Sequence, residues 1–456
     1  MSLPPQPLSP LDGRYRAAVA PLGQHLSEAG LNRARVHVEV EWLLLLTEAR
    51  MFGVAPLSDG ERAALRTWAV GFGAAEIDWL AAKEAETRHD VKAVEYLIRD
   101  QLTRLGLDRV AELVHFACTS EDINNLAYAI TVRDALREVW LPKFDGLIDA
   151  LQALAVSTAD AAMLARTHGQ PATPTTMGKE LAVTVARLSR QRKRIAAIPH
   201  LGKLNGATGT YAAHLAAAPE VDWPALSERF VTSLGLTWNP LTTQIESHDW
   251  QAELYQALSL AGRILHGFCV DVWTYISLGY FRQIPVAGAT GSSTMPHKIN
   301  PIRFENAEAN LELASALLES LAATLVESRL QRDLTDSTTQ RNIGVALGHS
   351  LLALDNVTRG LGEIALDRDR LTADLDDNWE VLAEAIQTVI RAEAVAGRSS
   401  IADPYAVLKE LTRGHRIGRA ELRAFIDGLD IGAEAKARLT ALTPATYTGL
   451  AAQLVR

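Results

Sequence analysis

Apolar residues in this chain return every three or four positions over long stretches, the spacing of one helix face. From Leu141 they fall at Phe144, Leu147, Leu151 and Leu154, and from Leu181 at Val185, Leu188 and Ile195. From Leu254 they fall at Leu258, Ala261, Leu265, Phe268 and Val272. The most regular run, Ala307, Leu311, Ala314, Leu318, Leu321 and Leu325, alternates steps of four and three. That heptad-like seam predicts helices packed side by side at a shallow angle. Another run passes through Ile343, Leu347, Leu351, Leu354 and Val357. Several of these helices read as longer than ~20 residues, which predicts a bundle. Alternating runs bounded by turn residues are scarce, so the expected fold class is all-α.

The pattern changes twice along the chain. A shorter helical region, with a helix through Val91, Val94, Leu97 and Ile98, precedes the long helices, and from about Leu366 the helices shorten again. Three mostly helical domains are expected: residues 1–110, a central long-helix bundle over 111–363, and 364–456. Alanine and leucine on nearly every side of the central helices imply more burial than one chain supplies, which predicts a homo-oligomer.

Composition narrows the class. The 456 residues are 48% apolar, enough for large cores, and carry a net charge of −9. A nucleic-acid or membrane-surface partner calls for a basic face, so neither is expected, and an anionic ligand has to be held by a few local cations. Cys118 and Cys269 lie far apart without metal-ligand spacing and read as reduced thiols. The opening Met-Ser-Leu-Pro-Pro-Gln-Pro lacks the basic and apolar regions of a secretion signal, and no apolar run approaches membrane-spanning length. A cytoplasmic location is expected.

Polar segments interrupt the apolar pattern. The most informative runs from Gly288 to Pro301 and packs Ser292, Ser293, Thr294, His297, Lys298 and Asn300 between long helical segments. Glycine hinges let such a loop close over a ligand and offer hydroxyls, N–H groups and a cation to an anion. The others are Thr87–Lys92, His115–Asn125, Arg166–Thr176 and Gln331–Arg341. Each has a structural reading when taken alone. His168 beside Gly169 can be a hydrogen-bonded structural histidine, and His89 a cap partner. Thr119 and Ser120 before Glu121 and Asp122 can be a helix N-cap with an acidic first turn. Arg332 and Arg341 can be a solvated helix face, and Arg14 and Tyr15 part of a turn after Asp12-Gly13. Together they assemble acid–base groups (His89, His168), hydroxyls (Thr119, Ser120, Ser292, Ser293), amides (Gln244, Asn300, Asn306) and cations (Lys298, Arg332, Arg341). No Cys–His metal cluster, Walker loop or strand-linked Gly-x-Gly-x-x-Gly is present, so no metal and no cofactor are expected. The inventory suits cofactor-free proton transfer on a substrate rich in negative charge.

Gly291-Ser-Ser-Thr-Met-Pro-His-Lys-Ile-Asn-Pro301 resembles the signature loop of the fumarase/aspartase superfamily of lyases. Thr119-Ser120 and Thr167-His-Gly-Gln-Pro171 resemble its two other shared segments. Within that superfamily, Asp12-Gly-Arg-Tyr15, His89-Asp-Val-Lys-Ala-Val-Glu-Tyr96, His115–Asn125, Gln331–Ser337 and Leu408–Gly414 are similar to the bacterial adenylosuccinate lyase family. The resemblance runs from Ser9 to the C-terminus. It implies three helical domains, a homotetramer with active sites shared between subunits, and a β-elimination that releases fumarate from a succinylated nucleotide.

By resemblance, Ser292 is the base and His168 the acid. Arg14, Tyr15, Arg332, Ser337 and Arg341 hold the phosphate, His89 supports His168 and the phosphate, Thr119, Ser120 and Gln244 grip the succinyl part, and Arg88 and Asp90 are further substrate contacts. Ser293, Lys298, Asn300 and Asn306 complete the ligand set. Three departures stand out: Arg88 where closer bacterial relatives carry Asn, Ala289 in place of an acidic residue, and a longer Gly397–Asp403 segment.

Overall fold

Helices dominate the computed structural model, which describes residues 6–285, 288, 294–295, 297–412 and 417–455. The first group is α1 (Glu28–Glu48), α2 (Asp59–Val70), α3 (Ala74–Thr87), α4 (Asp90–Arg104) and α5 (Ser120–Ala135). The long helices are α6 (Leu141–Ser157), α7 (Met177–Ala197), α9 (Asp249–Ser277), α10 (Ile302–Leu325) and α12 (Ile343–Gly362). Between them lie α8 (Trp223–Ser233) and α11 (Thr335–Gln340). After them come α13 (Arg368–Asp376), α14 (Ala383–Val395), α15 (Pro404–Thr412), α16 (Arg419–Gly428) and α17 (Ala433–Ala441). The five runs of apolar spacing from Leu141, Leu181, Leu254, Ala307 and Ile343 each lie on one of the long helices, the Val91–Ile98 run lies on α4, and the helices shorten after Ile364–Leu366, so the all-α expectation holds.

Helix starts follow local chemistry. Ser27 accepts a hydrogen bond from the Gly30 N–H at the head of α1. Ser58 and Glu61 exchange bonds at the head of α2, satisfying two donors that the first turn leaves open.

The chain divides into two units, each discontinuous in sequence. The first comprises Met1–Asp145, Gln191–His266 and Ala307–Asp355. Its core holds Trp42, Trp140 and Trp223, each buried with its indole N–H satisfied, by the Phe116 carbonyl, the Ser350 hydroxyl and the Ala218 carbonyl respectively. The seam from Ala307 to Leu325 is buried at all six positions. Each fully buried leucine there contributes about 1.5–3 kcal/mol.

The second unit comprises Gly146–Arg190, Gly267–Asn306 and Asn356–Arg456. Its C-terminal core gathers Trp379, Leu382, Ile386, Ile390, Leu408, Leu422 and Ile426. Two antiparallel ladders also belong to it: β1 (Ala162–Thr167) with β2 (Gln170–Thr176), and β3 (Phe281–Gln283) with β4 (Ile364–Leu366). Gly178 opens α7 against α6, where a Cβ would stand 2.3 Å from the Ala155 carbonyl oxygen, so only glycine fits. Among the described residues, the β1–β2 hairpin is the longest strand pairing, and the helical spacing does not foretell it.

Candidate active site

Eleven of the expected site residues lie in the first unit: Arg14, Tyr15, Arg88, His89, Asp90, Thr119, Ser120, Gln244, Arg332, Ser337 and Arg341. His168, Lys298, Asn300 and Asn306 lie in the second. Ser292, Ser293 and the departure at Ala289 fall outside the described residues.

Within the first unit, one continuous path of polar contacts joins segments far apart in sequence. At one end Arg341 donates to the Ser337 hydroxyl (2.8 Å) and to Asp90 (3.1 Å). Asp90 also accepts from Arg35 at 2.8 Å. Arg35 continues to Asn124 (2.9 Å), and Asn124 to Glu121 (2.8 Å). Glu121 pairs with Arg332 at 2.9 Å, and Arg332 reaches the Gln244 amide oxygen at 3.4 Å. Gln244 ends the path by donating to the Ala207 carbonyl (3.0 Å). Asp90, Gln244, Arg332, Ser337 and Arg341 are thus brought together, with Ser120 one residue from the path.

The arginines are not the outer face of a solvated helix. Arg332 is mostly covered, with Glu121 at one terminal nitrogen and Asp336 3.8 Å from the other. Burial and then the Glu121 charge raise the Asp336 carboxyl above its usual range. Arg341 is exposed, and a cleft of about 230 Å3 runs from it past Ser27 and Leu26 to Asp12 and Ser9, beside the segment that carries Arg14 and Tyr15. Arg14 lies over the Tyr15 ring, 5.8 Å from its centre. His89 caps α4, its Nδ1 accepting from the Lys92 N–H at 3.2 Å. Arg88, at φ +52°, makes the left-handed turn that separates α3 from α4. The cap reading of His89 therefore holds, and its side chain is about half exposed.

Burial opposes charge on Asp90, but Arg35, the Val91 N–H and Arg341 outweigh it and hold the carboxyl below its ordinary 3.8. The folded value lies below the unfolded one. The stabilisation is therefore present above 3.8 and lost as pH falls through the folded value. Asp90→Asn is expected to lower stability by about 1–3 kcal/mol at neutral pH. Urea unfolding midpoints of variant and parent should converge as the pH drops below 3.8. A gap that stays constant with pH counts against an ionised Asp90.

Thr119 opens α5 as its N-cap, and Asp122 accepts the Thr119 N–H at 2.8 Å. The same carboxylate accepts the N–H groups of Asn205 (2.9 Å) and Gly206 (3.1 Å) and pairs with Lys203 (2.9 Å), both side chains fully buried. Sequence reasoning missed Arg35 and Lys203. A signal for Arg35 existed: it and Glu39 are two charges four apart inside the apolar run of α1, and both are buried. Glu39 accepts from the His115 N–H at 3.0 Å and lies 2.5 Å from its Nδ1. Burial alone would lower the His115 pKa, but the Glu39 carboxylate raises it. Cys118, next to Thr119, is pushed well up by burial, Asp122 and Glu39, which keeps it a thiol.

In the second unit His168 sits exposed at the tip of the hairpin. Thr167 pairs with Gln170, so His168 and Gly169 are the two turn residues, at φ +54° and +77°. Two successive positive φ values are those of a type I′ turn, whose twist suits the flanking strands. Lys298 is exposed, its N–H bonded to the Met295 carbonyl at 3.0 Å. Asn300 and Asn306 are half-buried, the latter on the first turns of α10. Among the described residues no group of histidine, cysteine and carboxylate side chains has metal-ligand geometry.

Comparisons with known proteins agree along the whole chain. The family described as "Lyase" matches residues 13–314, and that described as "Adenylosuccinate lyase C-terminal" matches 328–448. The adenylosuccinate lyase of Escherichia coli (strain K12) is 49% identical over 450 residues, 98% of this chain and 97% of that protein. The Haemophilus influenzae enzyme of the same name is 49% identical over 450 residues, and that of Buchnera aphidicola subsp. Schizaphis graminum 44% over 452. Two solved structures share the fold. The 3-carboxy-cis,cis-muconate lactonizing enzyme of Pseudomonas putida has a TM-score of 0.71 at 22% identity, covering 96% of this chain and 95% of that one. The fumarate lyase of Mesorhizobium sp. BNC1 has a TM-score of 0.73 at 21% identity, covering 96% of both chains. Matched by both families and 49% identical over 98% of its length to enzymes of that name, this chain belongs to the bacterial adenylosuccinate lyases of the fumarase/aspartase superfamily.

Proposed function

We propose that this protein eliminates fumarate from adenylosuccinate to give AMP, and from the succinylated imidazole carboxamide ribotide of purine biosynthesis to give the carboxamide ribotide. The observation that carries this reading is the path from Ser337 and Arg341 through Asp90, Glu121 and Arg332 to Gln244. It supports a ligand with an anionic end and a second polar end. Arginine suits the phosphate because its planar fork matches two phosphate oxygens at once. Thr119, Ser120 and Gln244 take the succinyl part.

Chemistry needs a proton removed beside a carboxylate and a nitrogen protonated as it leaves. Ser292 takes the first role and His168 the second, on opposite faces of the substrate. A serine hydroxyl is a weak base, so its loop has to exclude water and surround the alkoxide with donors, Lys298 among them. The intermediate places extra negative charge on the substrate carboxylate. Lys298, Asn300 and backbone N–H groups offset that charge. No cofactor takes part.

We place the enzyme in the cytoplasm as a homotetramer, each active site drawing on more than one subunit. Apolar side chains exposed on the long helices, Leu260, Trp273 and Leu313, support a larger assembly. No described helix is long and apolar enough to cross a membrane.

The test is fumarate release followed by ultraviolet absorbance, with adenylosuccinate beside argininosuccinate. Turnover is expected with the first only, because the second has no phosphate for Arg332 and Arg341. Turnover with argininosuccinate alone replaces this reading with that of another fumarate-releasing lyase. Turnover with neither leaves a catalytically silent helical scaffold.

A further inference from the structure

The β1–β2 hairpin is an isolated two-stranded sheet, and such a ribbon is marginal without help. Its pairing is also irregular: register slips between Met163 and Ala165, where Thr173 and Pro174 together face Leu164. Proline has no N–H to give the ladder. Backbone pairing alone therefore does not fix the tip, where His168 already occupies a left-handed conformation disfavoured for any residue with a Cβ.

Side chains supply what the ladder lacks. Arg166, two residues before His168, donates from Nη1 to the Tyr280 hydroxyl (2.7 Å) and from Nη2 to Asp374 (2.7 Å). The Tyr280 hydroxyl donates to the same Asp374 oxygen, closing a ring of three hydrogen bonds. Two members are fixed by their elements, Arg166 by β1 and Asp374 by α13, and Tyr280 is the residue just ahead of β3. Tyr280 is almost fully buried, and the guanidinium also lies 5.8 Å from its ring centre. Burial, then the bond to Asp374, raises the Tyr280 hydroxyl to about 12, so it remains a donor at any working pH. The Asn378 amide holds the Asp374 carbonyl at 2.7 Å. On the other strand Thr173 donates to Glu384, which also accepts from Tyr447. Tyr280 and Asp374 belong to none of the polar segments described above, and Arg166 opens the one that carries His168.

We propose that the Arg166–Tyr280–Asp374 ring is a positioning device for His168, setting the angle at which the hairpin tip delivers its imidazole to the leaving nitrogen. The inference rests on His168 being the acid. Small errors in the placing of a proton donor are costly to rate and cheap to binding, so loosening the ring acts on kcat.

The experiment uses the intact oligomer and adenylosuccinate, with Tyr280→Phe made in the parent and in His168→Ala. In the parent background kcat should fall about tenfold with KM changed less than about twofold. In His168→Ala the same change should cost nothing further, because there is no imidazole left to aim. An equal loss in both backgrounds makes the ring merely structural and overturns the proposal, as does an undiminished kcat in the parent background. Parent-level turnover in His168→Ala instead sinks the acid assignment itself, whatever Tyr280→Phe does. Should Tyr280→Phe not fold by circular dichroism, Asp374→Asn, which keeps the shape and one acceptor oxygen, carries both readouts.

Discussion

Replacing His168 by Asn is expected to lower kcat by a factor of ~10²–10⁴, the usual worth of a positioned acid. The same change should leave the hairpin at least as stable. His168 holds φ +54° ahead of Gly169, and Asn-Gly is the favoured pair for such a turn. A side chain other than Asn, Asp or Gly gives up roughly 1–2 kcal/mol in that conformation, so asparagine relieves strain that the histidine imposes. Activity and stability then move in opposite directions, which a general loss of folding cannot imitate. Steady-state turnover and thermal unfolding of one preparation check both halves. Ser292→Ala should lower kcat by a similar factor with the oligomer intact, since it removes the base and only one atom. Near-normal turnover in either variant refutes that residue's role. A lower unfolding temperature in His168→Asn refutes the turn argument.

The strain at His168 also explains why the hairpin was hidden in the sequence. A hairpin reads from alternating apolar residues around Asn-Gly or a like pair. Here the turn pair is His168-Gly169 and the second strand contains Pro171 and Pro174, which ordinarily argue against a strand. The local rules fail where an imidazole, the proposed acid, stands at a tight bend. The long helices are the opposite case. Their buried positions, such as Ala307 through Leu325, are apolar because nothing but packing acts on them, so spacing alone places them.

The candidate site was legible by type more than by geometry. Arg332 and Arg341 could be solvated charges until the structure gives Arg332 a buried Glu121 and Arg341 the Asp90 carboxylate. Asp90 and Ser337 were carried by resemblance, and the path between them confirms only that these segments meet within one unit. Arg35 and Asn124 link that path and Lys203 pairs beside it, yet the sequence hinted at this only by a charge in the apolar run of α1 and the polar segment around Asn124. Their role depends on contacts between positions tens of residues apart, as with Arg35 and Asn124, and no local pattern records such a contact.

Lys203 has the largest expected effect on stability. Lys203→Met should cost about 3–5 kcal/mol, the range for removing one partner of a buried ion pair. Its ammonium and the Asp122 carboxylate are 2.9 Å apart and neither side chain has any exposed surface. Methionine fills much the same volume, so the loss is electrostatic and not a cavity. Asp122 would keep the N–H groups of Thr119, Asn205 and Gly206, but three amide dipoles do not replace a full charge. Those amides belong to the Thr119 turn and to the loop whose Ala207 carbonyl holds Gln244, so both segments proposed to take the succinyl part hang on one carboxylate. KM should therefore rise in whatever fraction of Lys203→Met folds. Adding Asp122→Asn removes the stranded charge, and the double variant should recover part of the loss, by about 0.5–3 kcal/mol relative to the sum of the single changes. Urea unfolding of the four proteins measures that coupling. Strict additivity would mean that Lys203 and Asp122 act independently, and that the turn at Thr119 is held by its backbone alone.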